Sequence, residues 1–385
     1  MTRPKKAEPA PALLDLRQRI DALDSEIQRL INERATLARA VGDAKHGAEA
    51  DDAAVAEESA ARGTADYYRP EREAQVLRGV VARNQGPLSD REMVRLFREI
   101  MASCLAQQEP LSVAYLGPEG TFTQQAVSEH FGHAVRAVAQ ASIEDVFQQV
   151  QAREADFGVV PIENSAQGMV THTLDLLLDS PLKICAEVEL RVHQNLLTLA
   201  PGLGEIERVY SHPQSFAQCR MWLRRHLPGI ETIAVSSNAE AARRARHAPD
   251  AAAIAGLNAA EVYGLPVLFG EIEDHPDNST RFFVLGSRLF PPSGDDKTTL
   301  LLAGLDGPGA LYRMLAPLAE QGVNMSRIES RPSRRGKWDY VFFIDVDGHA
   351  DEEPLKNALD RLRAVTRLVT VLGTYPRAVL PGSGQ

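Results

Sequence analysis

The sequence predicts a multidomain chain in which an all-α domain, an α/β domain and an α+β domain follow one another. Apolar residues recur every three or four positions from Leu13 to Val41, as on one face of a long helix. From residue 111 short apolar strands alternate with helical stretches. Beyond the stretch LFPPSGDD (289–296) the order is strand, helix, strand, strand, helix, strand. We therefore expect domains at residues 11–108, 111–290 and 297–377.

The overall composition argues against several classes of protein. The 385 residues carry a formal net charge of −10, which leaves no basic surface on the scale of a domain, so we expect no nucleic-acid partner. The three cysteines lie far apart, without a CxxC pair, which favours a reducing compartment and no structural metal. No run of 18 apolar residues occurs, so we expect a cytoplasmic protein without a membrane partner.

The first domain is predicted to contain three helices. The first runs from about residue 11 to 45, and the alanine- and acid-rich stretch 46–66 is expected to be a flexible or weakly helical insertion. The second begins near Arg69-Pro70, because proline suits a first helical turn. Ser89-Asp90 caps the third helix, which ends before Pro110.

Arg34 interrupts the apolar seam of the first helix, between Leu30 and Leu37. A buried guanidinium needs an anionic partner, and on this fact alone an internal ion pair and a bound anion are equally good explanations. Lys45 shares the helix face of Arg34 at about 16 Å, which favours a ligand anion. Arg17 lies about 25 Å from Arg34 and about 100° around the helix, so it can reach the same pocket only from a partner chain packed antiparallel.

Three stretches of this domain resemble the AroQ-type chorismate mutase domain, an intertwined helical dimer. They are LLDLRQRIDALDSEIQRLINERATLARAVGDAK (13–45), YRPERE (68–73) and RLFREIMASCLAQQ (95–108). The resemblance implies that arginines grip the two carboxylates of chorismate, one arginine coming from the partner chain, while a lysine and a glutamine donate to the ether oxygen. The pocket residues that it implies are Arg17, Arg34, Lys45, Arg72, Glu73, Cys104 and Gln108. Arg69 stands where some relatives carry aspartate.

Four polar clusters follow apolar strands in the second domain, where open α/β folds place their ligands. They are GPEGTFTQQA (117–126), PIENSAQGMVTHT (161–173), YSHPQSFAQC (210–219) and DHPDNSTRFFVLG (274–286). Each alone is typical of loops and helix caps. Together, in this order, they resemble prephenate dehydratase, which implies two α/β lobes around a cleft, similar to a type II periplasmic binding protein.

The same resemblance implies which residues act on the substrate. Thr280 would assist departure of the ring hydroxyl, and Glu163 is the acid in the matched clusters that could deliver a proton. Which of the two delivers it stays open. The other cleft residues that the resemblance implies are Thr121, Asn164, Ser165, Ser211, Gln218, Asn278, Ser279 and Arg281.

Two segments of the third domain, DGPGALYRML (306–315) and RIESRPSR (328–335), resemble the ligand-facing parts of an ACT regulatory domain. The resemblance implies that phenylalanine binds there, with its carboxylate on backbone amides that open a helix. The residues that it implies are Gly307, Gly309, Ala310, Leu311, Glu329, Ser330, Arg331 and Pro332. The alternative is a packing domain that only mediates dimerisation.

Taken together, the resemblances imply an enzyme without metal or cofactor that converts chorismate to prephenate and prephenate to phenylpyruvate. Phenylalanine would inhibit it, and the assembly would be a homodimer or a higher homo-oligomer. Two alternatives stay open. One is a dehydratase whose mutase pocket is impaired by Arg69 and the insertion at 46–66, and the other is a non-catalytic sensor of aromatic acids.

Overall fold

A computed structural model describes residues 11–50, 68–107, 110–304, 307–333 and 340–379, with side chains at 12–44 in the first of these ranges. The predicted site residue Gln108 lies outside the described residues, as does most of the predicted insertion. Lys45 lies within a helix, but its side chain is outside the described part of the chain.

The first domain is formed by α1 (Pro11–Ala50), α2 (Pro70–Arg83) and α3 (Asp90–Leu105). Helix α1 continues to residue 50 rather than 45, so the start of the predicted insertion is helical. Pro70 occupies the first turn of α2. Ser89 caps α3, since its hydroxyl accepts from the Glu92 backbone N–H while the Glu92 carboxylate accepts from the Ser89 backbone N–H. The predicted starts of α2 and α3 are therefore confirmed.

The apolar seam of α1 is largely exposed in the single chain. Leu23 and Leu37 are both 62% exposed, and Ile27 is 53% exposed. A helix with so regular an apolar stripe is stabilised by covering that stripe. Among the described helices, none is both long and apolar enough to cross a bilayer.

The second domain has two α/β lobes. Its strands are β1 (Ser112–Leu116), β2 (Arg136–Gln140), β3 (Phe157–Asn164), β4 (Gly168–Met169), β5 (Lys183–Arg191), β6 (Asn195–Thr198), β7 (Arg208–Ser211), β8 (Glu231–Ala234), β9 (Ala251–Ala255), β10 (Val267–Phe269) and β11 (Ser279–Gly286). Its helices are α4 (Phe122–Phe131), α5 (Ile143–Gln151), α6 (Thr171–Leu177), α7 (Pro213–Gln218), α8 (Arg220–His226), α9 (Asn238–Arg246) and α10 (Leu257–Tyr263). The first lobe contains β1–β5 and β11, and the second is built on the sheet β10-β6-β9-β7-β8.

The predicted alternation of short apolar strands with helices is confirmed, and the apolar stretches form β1, β3, β5, β7, β9 and β11. Strands β2, β4, β6, β8 and β10 were not anticipated, and each is only two to five residues long. Pieces this short carry little periodicity, so pairing with neighbours in the sheet decides their conformation.

The chain crosses twice between the lobes, first between β5 and β6 and again between β10 and β11. Glu273 on the second crossing accepts from the backbone N–H of Gln194 on the first (2.9 Å), and its other oxygen lies 2.8 Å from His193 Nδ1. Because the side chain of Glu273 is only 3% exposed, this carboxylate joins the two crossings in a dry environment. The two crossings are thereby held next to each other.

The third domain comprises β12 (Asp296–Gly304), α11 (Ala310–Glu320), β13 (Met325–Pro332), β14 (Tyr340–Asp347), α12 (Leu355–Val365) and β15 (Thr366–Pro376). This is the predicted strand and helix order. Strand β13 is the outer strand of the sheet and pairs with β14. The buried side of the sheet packs on α11 and α12 through a core that includes Leu300, Met314 and Leu359.

A single sheet joins the third domain to the first lobe, in the order β13-β14-β12-β15-β5-β11-β3-β1-β2. The junction is the parallel pairing of β15 with β5 at Gly373 and Ile184. A Cβ at Gly373 would stand 2.2 Å from the Ile184 carbonyl oxygen, so this close approach requires glycine. The sequence pattern did not indicate this junction.

Candidate active sites

A cavity of about 390 Å³ lies among α1, α2 and α3. Four residues predicted for the mutase pocket line it, namely Arg34, Arg72, Glu73 and Cys104. Arg69 lines it as well, with its guanidinium 3.5 Å from Glu71. Arg34 is partly buried, and within the described residues no carboxylate forms an ion pair with it.

Arg17 does not line this cavity. It lies on the exposed N-terminal part of α1, among the residues whose apolar neighbours are uncovered. The structure of one chain therefore brings Arg34, Arg72 and Glu73 together and leaves Arg17 apart, as the helix geometry predicts.

Arg98 and Tyr68 surround Glu73, and sequence reasoning had assigned neither a role. Arg98 Nε lies 3.2 Å from the Glu73 carboxylate, while another nitrogen of Arg98 donates to the backbone oxygen of Glu129 in α4 (2.8 Å). Burial raises the pKa of Glu73 although Arg98 opposes that shift. Tyr68 Oη lies 2.9 Å from His130 Nε2. Residues of the second domain thus fix one wall of the helical pocket.

The first lobe brings five predicted cleft residues together where β3 and β11 pair. The Asn164 amide nitrogen donates to Thr280 Oγ1 (2.9 Å) and to Asn278 Oδ1 (3.0 Å). Ser165 Oγ donates to the same Asn278 oxygen (3.3 Å) and accepts from the Ser279 backbone N–H (2.9 Å). We call Asn164, Ser165, Asn278, Ser279 and Thr280 the cleft cluster.

Two predicted residues, Glu163 and Arg281, lie on the opposite face of the same strands. Successive side chains on a strand point to opposite faces, and Arg281 pairs with Glu163 in register just as Thr280 pairs with Asn164. Their side chains contact each other (3.7 Å) and residues of the third domain. The prediction that they share the cleft with Thr280 is therefore corrected, because strand alternation separates sequence neighbours.

The second lobe holds Ser211 and Gln218 in another polar group. Ser211 Oγ donates to the Ile254 carbonyl oxygen (3.1 Å), and Gln218 Oε1 accepts from the Gln194 amide (3.1 Å). Asn238 links the group, since its amide nitrogen donates to Gln194 Oε1 (3.3 Å) and its oxygen accepts from Ser211 Oγ (3.3 Å). Gln194 and Asn238 are polar residues that sequence reasoning missed, because neither follows a predicted strand directly.

Thr121 is placed at the contact between the lobes. Its hydroxyl caps α4 by accepting from the Gln124 backbone N–H (3.4 Å). Asn258 in the second lobe donates to the Thr121 carbonyl oxygen (3.4 Å) and to Gln124 Oε1 (3.2 Å). The helix start at Thr121, in the predicted polar cluster 117–126, is therefore part of a lobe-to-lobe contact.

The residues predicted to bind an effector occupy a helix start and an edge strand. Gly307 and Gly309 have φ of 135° and 74°, conformations that favour glycine, and Ala310 and Leu311 begin α11. Glu329, Ser330, Arg331 and Pro332 end β13. Arg331 already has a partner in this chain, since its guanidinium donates to Asp175 in α6 (2.8 Å).

Comparisons with known proteins cover nearly the whole chain. Family models described as chorismate mutase type II, prephenate dehydratase and ACT domain match residues 16–109, 113–289 and 298–364. The bifunctional chorismate mutase/prephenate dehydratase of Stutzerimonas stutzeri is 50% identical over 372 residues, which are 96% of this chain and 99% of that protein. The chain belongs to this family of bifunctional enzymes.

Solved structures that are similar to this bifunctional enzyme cover about two thirds of its chain. The prephenate dehydratase of Arthrobacter aurescens in complex with L-Phe is 38% identical with a TM-score of 0.64, covering 69% of this chain and 90% of that one. The structure of GqqA, described as a novel type of quorum quenching acylase, is 31% identical with a TM-score of 0.64, covering 69% of this chain and 98% of that one.

No metal centre is evident in the described part of this bifunctional enzyme, where no group of three or more His, Cys, Asp or Glu residues is placed to hold an ion. Apart from the Glu73 carboxylate, the polar groups assigned to the two candidate sites are mainly guanidinium, amide and hydroxyl groups. Such groups hold anions and oxygens by hydrogen bonds, and they stabilise charge that develops on oxygen during a reaction.

Proposed function

We propose that the helical pocket converts chorismate to prephenate, that the cleft of the second domain converts prephenate to phenylpyruvate, and that phenylalanine binding to the ACT domain lowers the second activity. The observation that carries this proposal is the presence in one chain of both the Arg34, Arg72 and Glu73 cavity and the hydrogen-bonded cleft cluster. Near-complete coverage of bifunctional relatives supports it. A cytoplasmic location stays a prediction.

The mutase step is a unimolecular rearrangement, so it needs no nucleophile. The pocket has to hold a dianion in a compact conformer and stabilise negative charge that develops on the ether oxygen. Arg34 lines the cavity and suits one of the carboxylates, because a guanidinium binds a carboxylate through two parallel hydrogen bonds, and Arg72 lines the same cavity. Lys45 and Gln108 are proposed as the donors to the ether oxygen, and Arg17 of a partner chain as the second carboxylate clamp.

The assembly proposed for this step is a homodimer or a higher homo-oligomer. The exposed seam of α1 supports it, since its leucines and isoleucines are about half exposed in the single chain. An antiparallel partner helix would cover that seam and bring its own Arg17 to the cavity that Arg34 lines.

The dehydratase step loses CO₂ and the ring hydroxyl as aromatisation proceeds. The electron pair of the breaking C–C bond enters the ring, the C–O bond breaks, and the hydroxyl takes up a proton and leaves as water. Thr280 Oγ1 already accepts from the Asn164 amide at 2.9 Å, so its own O–H remains available to donate to the departing hydroxyl. Glu163 lies on the other sheet face, which favours Thr280 as the group that contacts this hydroxyl.

Asn278 supplies a second donor. Its side chain is 6% exposed, and within the described residues its amide nitrogen has no hydrogen-bond partner. A buried donor without an acceptor costs free energy, and a substrate oxygen would satisfy it. We therefore assign Asn278 to substrate binding beside Thr280.

Reciprocal variants test the two activities in one protein. Arg34→Ala removes a charge-assisted contact, so its chorismate mutase kcat/KM should fall about 100-fold while dehydratase activity stays unchanged. Thr280→Ala should lose dehydratase activity to a similar extent while its chorismate mutase activity stays unchanged. Both rates are measured by following phenylpyruvate and chorismate, with and without phenylalanine. Near-normal mutase turnover by Arg34→Ala would contradict the pocket assignment, and wild-type dehydration by Thr280→Ala would remove Thr280 from the mechanism.

Mixing two inactive variants tests the shared pocket. In a mixed dimer of Arg17→Ala and Arg34→Ala chains, one of the two pockets regains both arginines. After denaturation and refolding together, random pairing should restore about a quarter of the wild-type mutase activity. Each variant refolded alone is the control. If mixing restores nothing, Arg17 does not reach the pocket from a partner chain.

A further inference from the structure

Six charged side chains meet between the first lobe and the ACT domain. Three come from the first lobe and three from the ACT domain, and we call them the interdomain cluster: Glu163, Glu187, Arg281, Lys297, Arg327 and Asp345. Arg281 lies 2.5 Å from Asp345 and 3.1 Å from Glu187. Lys297 contacts Glu187 as well, and Arg327 lies 3.3 Å from Glu163.

The cluster is shielded from solvent and balanced in charge. Five of the six side chains are 4–17% exposed, and Glu163 is 35% exposed. Three cations meet three carboxylates, but the first lobe contributes one cation and two carboxylates while the ACT domain contributes two cations and one carboxylate. The charges of the buried cluster therefore balance only when both domains contribute to it, because an uncompensated buried charge is costly.

The cluster lies directly behind the cleft cluster. Asn164 and Thr280 are hydrogen-bonded on the cleft face of β3 and β11, and the residues beside them in sequence, Glu163 and Arg281, point to the other face. The ACT domain forms an ion pair with each of them, since Arg327 contacts Glu163 and Asp345 contacts Arg281. A shift of Arg327 or Asp345 would therefore also move β3 and β11, the strands that carry Asn164 and Thr280.

Asp345 is held firmly enough to act on Arg281. It is 3% exposed, and its second oxygen accepts from Thr299 Oγ1 at 2.7 Å. That hydroxyl lies 2.9 Å from Tyr375 Oη, which is itself buried. A buried carboxylate with fixed partners on both oxygens has one available geometry, so it defines where the guanidinium of Arg281 lies.

The outer strand β13 carries the other connection. Arg327, which contacts Glu163, lies on the same strand as Glu329–Pro332, the segment predicted to face the effector. Arg331 of that segment donates to Asp175 in the second domain. Displacement of β13 by a ligand would thus move Arg327 and change its contact with Glu163.

We propose that Asp345 of the ACT domain is a positioning residue for the dehydratase reaction. It holds Arg281, and thereby Thr280, in the reactive arrangement from behind the sheet, and Arg327 completes this connection at Glu163. The ACT domain is then part of the dehydratase site rather than only a sensor attached to it. This inference rests on the proposed dehydratase function of the cleft.

The central test is Asp345→Asn in the full chain, an exchange that keeps the shape and removes the charge. Dehydratase kcat should fall about tenfold and inhibition by phenylalanine should weaken by a similar factor, in the range that such coupling takes. The KM for prephenate should stay within about twofold, because the direct substrate contacts are retained. Mutase kcat/KM should not change.

A matched control is Asp250→Asn in the second lobe. Asp250 also forms a close ion pair with an arginine, Arg208, at 2.6 Å, but this pair lies away from the ACT domain. It should leave the dehydratase kcat and the phenylalanine response at wild-type values. Asp345→Glu retains the charge and should recover part of the lost kcat, which a purely structural role for the site would not produce.

Arg327→Gln provides a second variant if Asp345→Asn does not fold. It removes the contact with Glu163 and should weaken the phenylalanine response while the mutase rate is retained. The inference is overturned if these variants keep wild-type dehydratase kcat and inhibition, or if Asp250→Asn loses as much as Asp345→Asn. A wild-type chain that fails to dehydrate prephenate would instead refute the proposed function.

Discussion

Replacing Asn164 by aspartate is the sharpest perturbation of the dehydratase cleft, because it changes one amide nitrogen to oxygen. The amide nitrogen makes two hydrogen bonds, to Thr280 Oγ1 at 2.9 Å and to Asn278 Oδ1 at 3.0 Å. In Asn164→Asp both are lost, and a carboxylate oxygen faces the Asn278 oxygen. The Thr280 hydroxyl would then donate to the introduced carboxylate instead of to the substrate.

The size of the effect follows from those two contacts. A net hydrogen bond contributes about 0.5–1.5 kcal/mol, so two lost bonds correspond to about 1–3 kcal/mol. Because the Thr280 donation is made to the departing hydroxyl, most of this loss falls on the transition state. Since about 1.4 kcal/mol changes a rate tenfold, dehydratase kcat should drop by about 10- to 100-fold.

The assay compares Asn164→Asp and wild type with prephenate as substrate, following formation of phenylpyruvate. Chorismate mutase activity of the same preparation is the internal control, since Asn164 lies in another domain, and it should be unchanged. Asn164→Ala removes the donor without adding a negative charge, so its loss should be smaller than that of the aspartate variant. Dehydratase kcat of Asn164→Asp within about threefold of wild type would refute the proposed arrangement of Thr280.

Two further predictions concern the junctions of the second domain with its neighbours. Gly373→Ala would place a Cβ 2.2 Å from the Ile184 oxygen and force β15 away from β5, so calorimetry should show the ACT domain unfolding at a lower temperature. Gly204→Ala is the control, because a Cβ there would meet nothing within 4 Å, and it should leave the unfolding temperature unchanged. Burial and the Arg98 guanidinium lower the pKa of His130 to about 3. Its unfolded pKa is near 6.5, so the free energy of unfolding that is present above pH 6.5 should be lost as pH falls towards 3, by up to about 1.4 kcal/mol per pH unit. Denaturant unfolding between about pH 4 and 7 should show that the free energy of unfolding depends less steeply on pH in His130→Gln than in His133→Gln, whose ring is exposed. Equal slopes in the two variants would contradict the lowered pKa of His130.

Local signals in the sequence predicted the elements well. Proline at the start of α2 and the Ser89 capping box act within one helical turn, so they could be read without tertiary information. The strand and helix order of the ACT domain follows from its periodicity and was likewise confirmed. The short strands of the second domain depend on pairing with distant segments, and for that reason they were missed.

The composition of the sites was predicted better than their geometry. Motifs placed Asn164, Asn278 and Thr280 in one cleft, and the structure brings them within hydrogen-bond distance. The same motifs placed Glu163 and Arg281 there, but the two-residue period of a strand turns their side chains towards the ACT domain.

By itself the sequence determined which domains are present, where their helices begin, and which residue types follow each strand, because these features depend on a few neighbouring residues. Only the tertiary structure decided which face of a strand meets which domain. It also decided that Gly373 and Ile184 join two domains in one sheet, and that Asp345 meets Arg281 across the chain. These contacts join residues 64 to 189 positions apart, and no local pattern encodes the partner of a buried charge or of a strand edge.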